Sequence, residues 1–145
     1  MRKFLTVFYG TMMLLPALAQ QTQKPVLHGK NWMAITGKPL AATAGSMLFQ
    51  QGGNAVDASL AMLAATCTMW DVLHWGGETQ VLLYNPKTKK VIAFNGLGVA
   101  PTGATPDFFK GKGYAFPPEY GPLAAVTPGT PGSICYLLAN YGTKS

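Results

Sequence analysis

The stretch QQGGNAVDASLA, Gln50 to Ala61, sets two glycines and an asparagine between two apolar runs, each of which suits a helix. Upstream, Leu40, Ala44, Met47 and Leu48 fall at i, i+4, i+7 and i+8, one face of a helix that Pro39 opens as its first residue. Gly52 or Gly53 closes it, because either takes the left-handed backbone that a helix C-terminus favours. Asn54 then accepts a hydrogen bond at the next N-terminus, and Asp57, three residues on, reaches back in a capping box. That spacing gives Asp57 a structural role rather than an acid catalyst's. Two helices therefore meet at a tight corner. The second, predicted from Ala55 to Trp70, is apolar nearly all round and expects cover on most sides. Ala41, Ala42, Gly45 and Ser46 give the first helix a small-residue face for close packing.

A hydrophobic content of 48% with 11% charged residues argues against disorder, and 145 residues suffice for one modest domain. The N-terminus reads separately. Arg2 and Lys3 precede the run FLTVFYGTMMLLPALA, and Ala17-Leu18-Ala19 suits signal peptidase cleavage before Gln20. Residues 1–19 are thus expected to be a signal peptide, and the protein exported, periplasmic or secreted. An uncleaved anchor is disfavoured: the run is shorter than the roughly 20 residues a spanning helix needs, and Pro16 interrupts it. Cleavage leaves nine lysines against five acidic residues, a net charge of +4, and no arginine. The lysines are scattered apart from Lys87, Lys89 and Lys90 in an expected turn, so no nucleic-acid footprint is implied. Cys67 and Cys135 read equally as a disulfide or as two buried free thiols, and as core residues rather than nucleophiles. His28 and His74 have no ligand-spaced companions, so no metal is expected.

After the signal, residues 20–30 form a polar leader. WMAIT, residues 32–36, reads as a short buried strand feeding the first helix. A loop from Asp71 to Glu78 carries Gly76 and Gly77, and TQVLLYNPKTKKVIAFN, residues 79–95, reads as a β-hairpin. Residues 96–131 are dense in proline and glycine, which predicts a long connection with at most short turns. Thr130 as N-cap, Pro131 as first residue and Gly142 past the end predict a final helix from Pro131 to Tyr141. The order is that of an α+β arrangement in which helices cover a sheet. It looks incomplete, because few elements remain to cover the second helix.

The order of motifs resembles a known family. WMAIT is followed by GKPLAATAG (37–45), QQGGNAVDASLA (50–61), Ala100-Pro101, and AAVTPGTPGS from Ala124 to Ser133. This resembles the N-terminal part of the large subunit of the γ-glutamyltransferase family, over roughly residues 29–143. The motif positions carried over are Gly52, Gly53, Asn54, Asp57, Gly76, Gly77, Pro128 and Gly129. The resemblance implies a partial αββα N-terminal nucleophile hydrolase sandwich, with 31–145 as the truncated N-terminal part of the domain. It implies a precursor that cleaves itself into large and small subunits, whose new N-terminal threonine attacks a γ-glutamyl amide with its own α-amine as base. That threonine lies beyond Ser145 in family members, so no catalytic residue is expected here. Thr127 and Thr130 match turn and cap positions instead. No cofactor is implied. The implied partners are a small γ-glutamyl or related amide and the remainder of the precursor, with no nucleic acid and no membrane anchor once the signal is removed.

Two departures bear on specificity. The family's carboxylate-binding arginine, a few residues before the Ala-Pro pair, is replaced by Leu97, and lysine does not reproduce a bidentate fork. Where the family has a glycine run, this chain has His74-Trp75-Gly76-Gly77-Glu78. His74, Trp75, Glu78 and Leu97 are therefore the candidates for an altered substrate pocket. The plainer expectation is that Trp75 packs in the core, His74 caps the second helix and Glu78 is solvated. An acylase of non-glutamyl specificity and a non-catalytic secreted binding module are the alternatives.

Overall fold

The computed structural model describes residues 26–69 and 74–144. The expected signal peptide, Trp70 and Asp71 lie outside the described residues. The chain divides into a unit up to Lys30 and one from Asn31 onward; within the first, residues 26–30 carry no regular secondary structure.

Helix α1, Pro39–Gln50, opens on proline and ends where its geometry demands glycine. The Gly53 N–H donates to the Leu48 carbonyl at 2.8 Å and the Gly52 N–H to that of Phe49 at 3.0 Å. This paired closure needs the left-handed backbone seen at Gly52, φ +76°. Helix α2, Ala55–Cys67, follows at once. Its end, expected at Trp70, comes earlier because Thr68 closes it: both the Thr68 N–H and hydroxyl donate to the Ala65 carbonyl.

The two helices meet on small residues. Ala41 and Gly45 of α1, on the face expected to pack closely, are buried, whereas Leu40 and Met47, on the apolar face, are mostly exposed. Close approach explains this choice of face, since a Cβ on Gly45 would stand 2.7 Å from Met62 Cγ and 3.1 Å from the Ala58 carbonyl oxygen. A larger side chain on this face would hold the helices apart. Gly45→Val is accordingly expected to cost about 2 kcal/mol, the middle of the overpacking range, read as a lowered midpoint in thermal unfolding.

Strands β1, Thr79–Asn85, and β2, Lys90–Gly96, form an antiparallel hairpin in register from Thr79↔Gly96 to Asn85↔Lys90. Asn85 Oδ1 caps the turn by accepting from the Lys87 N–H at 3.0 Å, and the three turn lysines are exposed. Among the described residues these two strands are the whole sheet. WMAIT is not a strand: residues 32–36 make no ladder, and Ile35 is mostly exposed. Among the described residues no strand pairs with it, so its β-forming residues stay outside the sheet; Trp32 instead stacks on Phe49 with ring centroids 4.9 Å apart.

The connection after β2 is more ordered than its composition predicts. It holds a short helix α3, Pro106–Gly111, capped by the Thr105 hydroxyl accepting from the Phe108 N–H, and a 3-10 turn at Pro122–Ala124. Proline starts both elements, in the one helical position where a missing N–H costs nothing. Helix α4, Thr130–Tyr141, completes the chain of elements. Leu60, Ile134 and Leu137 form the core, with Val56, Leu63, Val81 and Phe94 packed around them, so α2 and α4 cover one face of the hairpin. On the other face Leu82 is 79% exposed, and Tyr84 and Val91 are also open. Cys67 and Cys135 are free thiols; Cys135 is exposed, and burial pushes the Cys67 thiol up. Among the described residues no helix is long and apolar enough to cross a membrane.

Candidate functional site

The residues singled out for a pocket converge on a backbone junction. The His74–Gly77 turn is closed by the Gly77 N–H donating to the His74 carbonyl at 2.9 Å. A Cβ on Gly76 would stand 3.0 Å from Nδ1 of the exposed His74 side chain, which can turn aside, and one on Gly77 3.0 Å from the His74 carbonyl oxygen, a tight approach to backbone. The Gly77 carbonyl then accepts from two N–H groups at the start of α4, Gly129 at 3.0 Å and Thr130 at 3.1 Å. Helix N-termini leave such donors without intrahelical partners, and here a carbonyl from another segment satisfies two of them.

The exit of β2 packs onto the same place. A Cβ on Gly129 would collide with the Gly96 carbonyl oxygen, and one on Gly98 with the Thr127 carbonyl oxygen. Leu97 lies between Gly96 and Gly98, its N–H held by Asn95 Oδ1 at 3.1 Å. The turn carrying His74, Trp75 and Glu78 and the segment carrying Leu97 thus share one support, Thr127 to Thr130. Pro128 and Gly129 belong to that support.

Of the three side chains in the plainer expectation, only the solvated Glu78 sits as expected. Trp75 is 45% exposed, not packed in the core. His74 is exposed and follows α2 by several residues, the helix end being closed by Thr68. Glu78 is exposed and lines a groove of about 710 Å³ between α2 and β1, together with Val56, Leu60, Leu63 and Val81. Leu97 is 40% exposed. All four side chains are exposed, and of the four only Glu78 lines this groove. Among the described residues no group of three or more His, Cys, Asp or Glu is placed to hold a metal ion.

Thr130 is not the N-cap. Gly129 takes that position, and Thr130 is the first helical residue, 2% exposed, its hydroxyl accepting from the Thr79 hydroxyl at 3.0 Å. Ser133 is also buried and donates to the Gly129 carbonyl at 2.7 Å. Thr79, Ser133, Gly96 and Gly98 were not singled out from sequence. Nothing local marks them, because their partners lie tens of residues away; only the alternation of glycine with small polar residues hints at close backbone approach.

The capping box at the corner is formed, and it does more than cap. Asn54 Oδ1 accepts from the Val56 and Asp57 N–H groups, and Asp57 Oδ2 accepts from the Asn54 N–H at 2.7 Å. The same carboxylate accepts from the Thr143 hydroxyl at 2.6 Å and from the Thr143 and Lys144 N–H groups, while Asn54 Nδ2 donates to the Tyr141 carbonyl. The corner therefore grips the end of α4.

Comparison with known proteins places this architecture. A sequence model of the family described as Gamma-glutamyltranspeptidase matches residues 41–145. The Glutathione hydrolase proenzyme of Bacillus subtilis (strain 168) is 34% identical over 135 residues, 90% of this chain and 23% of that protein. The crystal structure of Helicobacter pylori gamma-glutamyltranspeptidase is similar at a TM-score of 0.73 and 30% identity, over 83% of this chain and 36% of that one. That of cephalosporin acylase from Bacillus halodurans is similar at 0.71 and 30% identity, over 86% of this chain and 24% of the acylase. The chain spans about a quarter of the length of the curated relatives it matches. Its fold is a partial α+β piece of the N-terminal nucleophile hydrolase sandwich, and the chain belongs to the γ-glutamyltranspeptidase family.

Proposed function

We propose that this protein is the N-terminal part of an exported amidohydrolase proenzyme that, when complete, moves a γ-glutamyl or related acyl group from an amide to water or to an amine. The observation that carries the reading is the family match over residues 41–145, joined to a junction that seats the Gly76-Gly77 turn and Leu97 on one support. In this reading the threonine of a separate, self-cleaved segment attacks the amide carbonyl while its own α-amine takes the hydroxyl proton. The amine leaves, and the acyl ester passes to water or to an acceptor. The residues of this chain supply one wall of the acyl pocket, and the remainder of the precursor supplies the nucleophile. The basic, apolar and Ala-Leu-Ala segments of residues 1–19 support export to the periplasm or the medium.

Leu97 favours a second reading within the same chemistry, an acylase for a non-glutamyl group. An exposed aliphatic side chain stands where the resemblance expects a guanidinium, and a charged α-carboxylate would find no fork there. The complete protein separates the two when assayed with a γ-glutamyl anilide. Weak turnover is expected, rising tenfold to about a hundredfold in kcat/KM for Leu97→Arg, since a hydrogen bond to a charged group contributes about 1.5–3 kcal/mol. Strong turnover before substitution would sink the acylase reading; no gain after it would leave the γ-glutamyl reading without its pocket.

A further inference from the structure

We propose that Thr79 and Thr130 are positioning residues, whose buried hydroxyl pair fixes the His74–Glu78 turn against the segment that carries Leu97. The inference rests on the reading above of that turn as a wall of the acyl pocket. Both hydroxyls are withdrawn from water, on residues 6% and 2% exposed, and they meet across 51 positions of sequence at 3.0 Å. The pair joins the first residue of β1 to the first turn of α4. Two residues earlier, the Gly77 carbonyl takes the Gly129 and Thr130 N–H groups.

Two donors converging on one oxygen restrain its distance but leave rotation about that atom open. The hairpin register, Thr79↔Gly96, fixes where β1 begins but not the angle at which the preceding turn leaves it. A second attachment, two residues along, removes the rotation. Gly129 lies against Gly96 and Gly98 on either side of Leu97, so the angle set by Thr79 and Thr130 is also the angle between the turn and Leu97. A packing role alone would be served by any side chain of this shape. A directional role needs the hydroxyls.

The test uses the full product of the gene with γ-glutamyl and aliphatic-acyl anilides. Thr79→Val and Thr130→Val each orphan a buried hydroxyl, whereas the double variant replaces both with apolar groups of the same shape and keeps near wild-type stability. The singles are expected to raise KM about fivefold to tenfold. The double variant is expected to recover the thermal midpoint and keep the raised KM, with kcat within about twofold of wild type. Thr130→Ser, which retains the hydroxyl, is expected to return KM close to wild type. A double variant that recovers KM together with stability overturns the proposal, as does an unchanged KM in the singles. Should the wild-type protein turn over neither anilide, the functional reading fails and hydrogen exchange decides the strut. The Gly129 and Thr130 amides are expected to exchange at least about tenfold faster in the double variant, and equal rates overturn it.

Discussion

Asp57→Ala is expected to lower the unfolding free energy by about 3–5 kcal/mol, measured by urea denaturation. Asp57 is 2% exposed and accepts from the Asn54 N–H, the Thr143 N–H and hydroxyl, and the Lys144 N–H. Loss of an N-terminal capping interaction costs about 1 kcal/mol, and each buried donor left without an acceptor about 1–3 kcal/mol. The simple sum overshoots, because Thr143 and Lys144 are exposed enough for water to replace part of what they lose. Asp57→Asn keeps one acceptor oxygen without the charge, so about half the loss is expected. A loss under about 1 kcal/mol for alanine would mean that the grip on the end of α4 contributes nothing. Gly142 belongs to the same device, since a Cβ there would stand 2.9 Å from Asp57 Oδ1.

The same carboxylate gives the protein a pH dependence with a definite sign. Burial raises its pKa, but the Thr143 hydroxyl and the backbone N–H groups of Asn54, Lys144 and Thr143 outweigh burial and hold it below the ordinary 3.8. A folded-state pKa below the unfolded one means that the unfolded chain binds the proton more readily. The contribution is therefore fully present above the unfolded value and is lost as pH falls through the depressed folded one. Stability against urea is expected to decline below about pH 4, where the unfolded carboxylate takes up its proton. In Asp57→Asn this part of the decline is absent.

The local half of this arrangement is legible in the sequence and the distant half is not. Asn54 and Asp57 stand three apart behind a glycine pair, a spacing that fixes the capping box by backbone geometry alone, and the hairpin alternates over both strands. The grip on Thr143 joins residues 86 apart, and no local signal carries it. Thr130 fails for a related reason. Its position before Pro131 suits an N-cap, but the Ser133 N–H that such a cap would accept from donates to the Gly129 carbonyl instead, and the Thr130 hydroxyl pairs with Thr79. Residues 32–36 have strand-forming side chains, yet a strand is defined by its neighbour, and sequence pattern does not report whether one is present. Leu40 and Met47 mislead in the same way. Apolar periodicity marks a face, but the small residues Ala41 and Gly45 are the ones that another helix can approach.

Gly129→Ala is expected to cost about 3 kcal/mol or more, the top of the overpacking range, and it opposes an expected gain three residues later. Gly129 has φ −95° and ψ −27°, a conformation alanine adopts without strain, so beyond glycine's preference over alanine at an N-cap the cost is steric. The new Cβ would collide with the Gly96 carbonyl oxygen and stand 3.0 Å from the Gly98 nitrogen. Both are backbone atoms, which have no rotamer to turn away, so either α4 or the 96–98 segment must shift and carry Leu97 with it. At Gly132, inside α4, an added Cβ meets nothing within 4 Å. Alanine there removes only the entropy that glycine loses in a helix, so Gly132→Ala is expected to stabilise by about 0.5–1 kcal/mol. Thermal unfolding of the two variants measures the close approach, because the substitution is the same, and the backbone collision at the N-cap exceeds any difference in helix or cap preference between glycine and alanine. Opposite signs require the β2 exit to lie on the start of α4. Equal effects would mean that the segment holding Leu97 is not seated there, and the junction would lose one of its three arms.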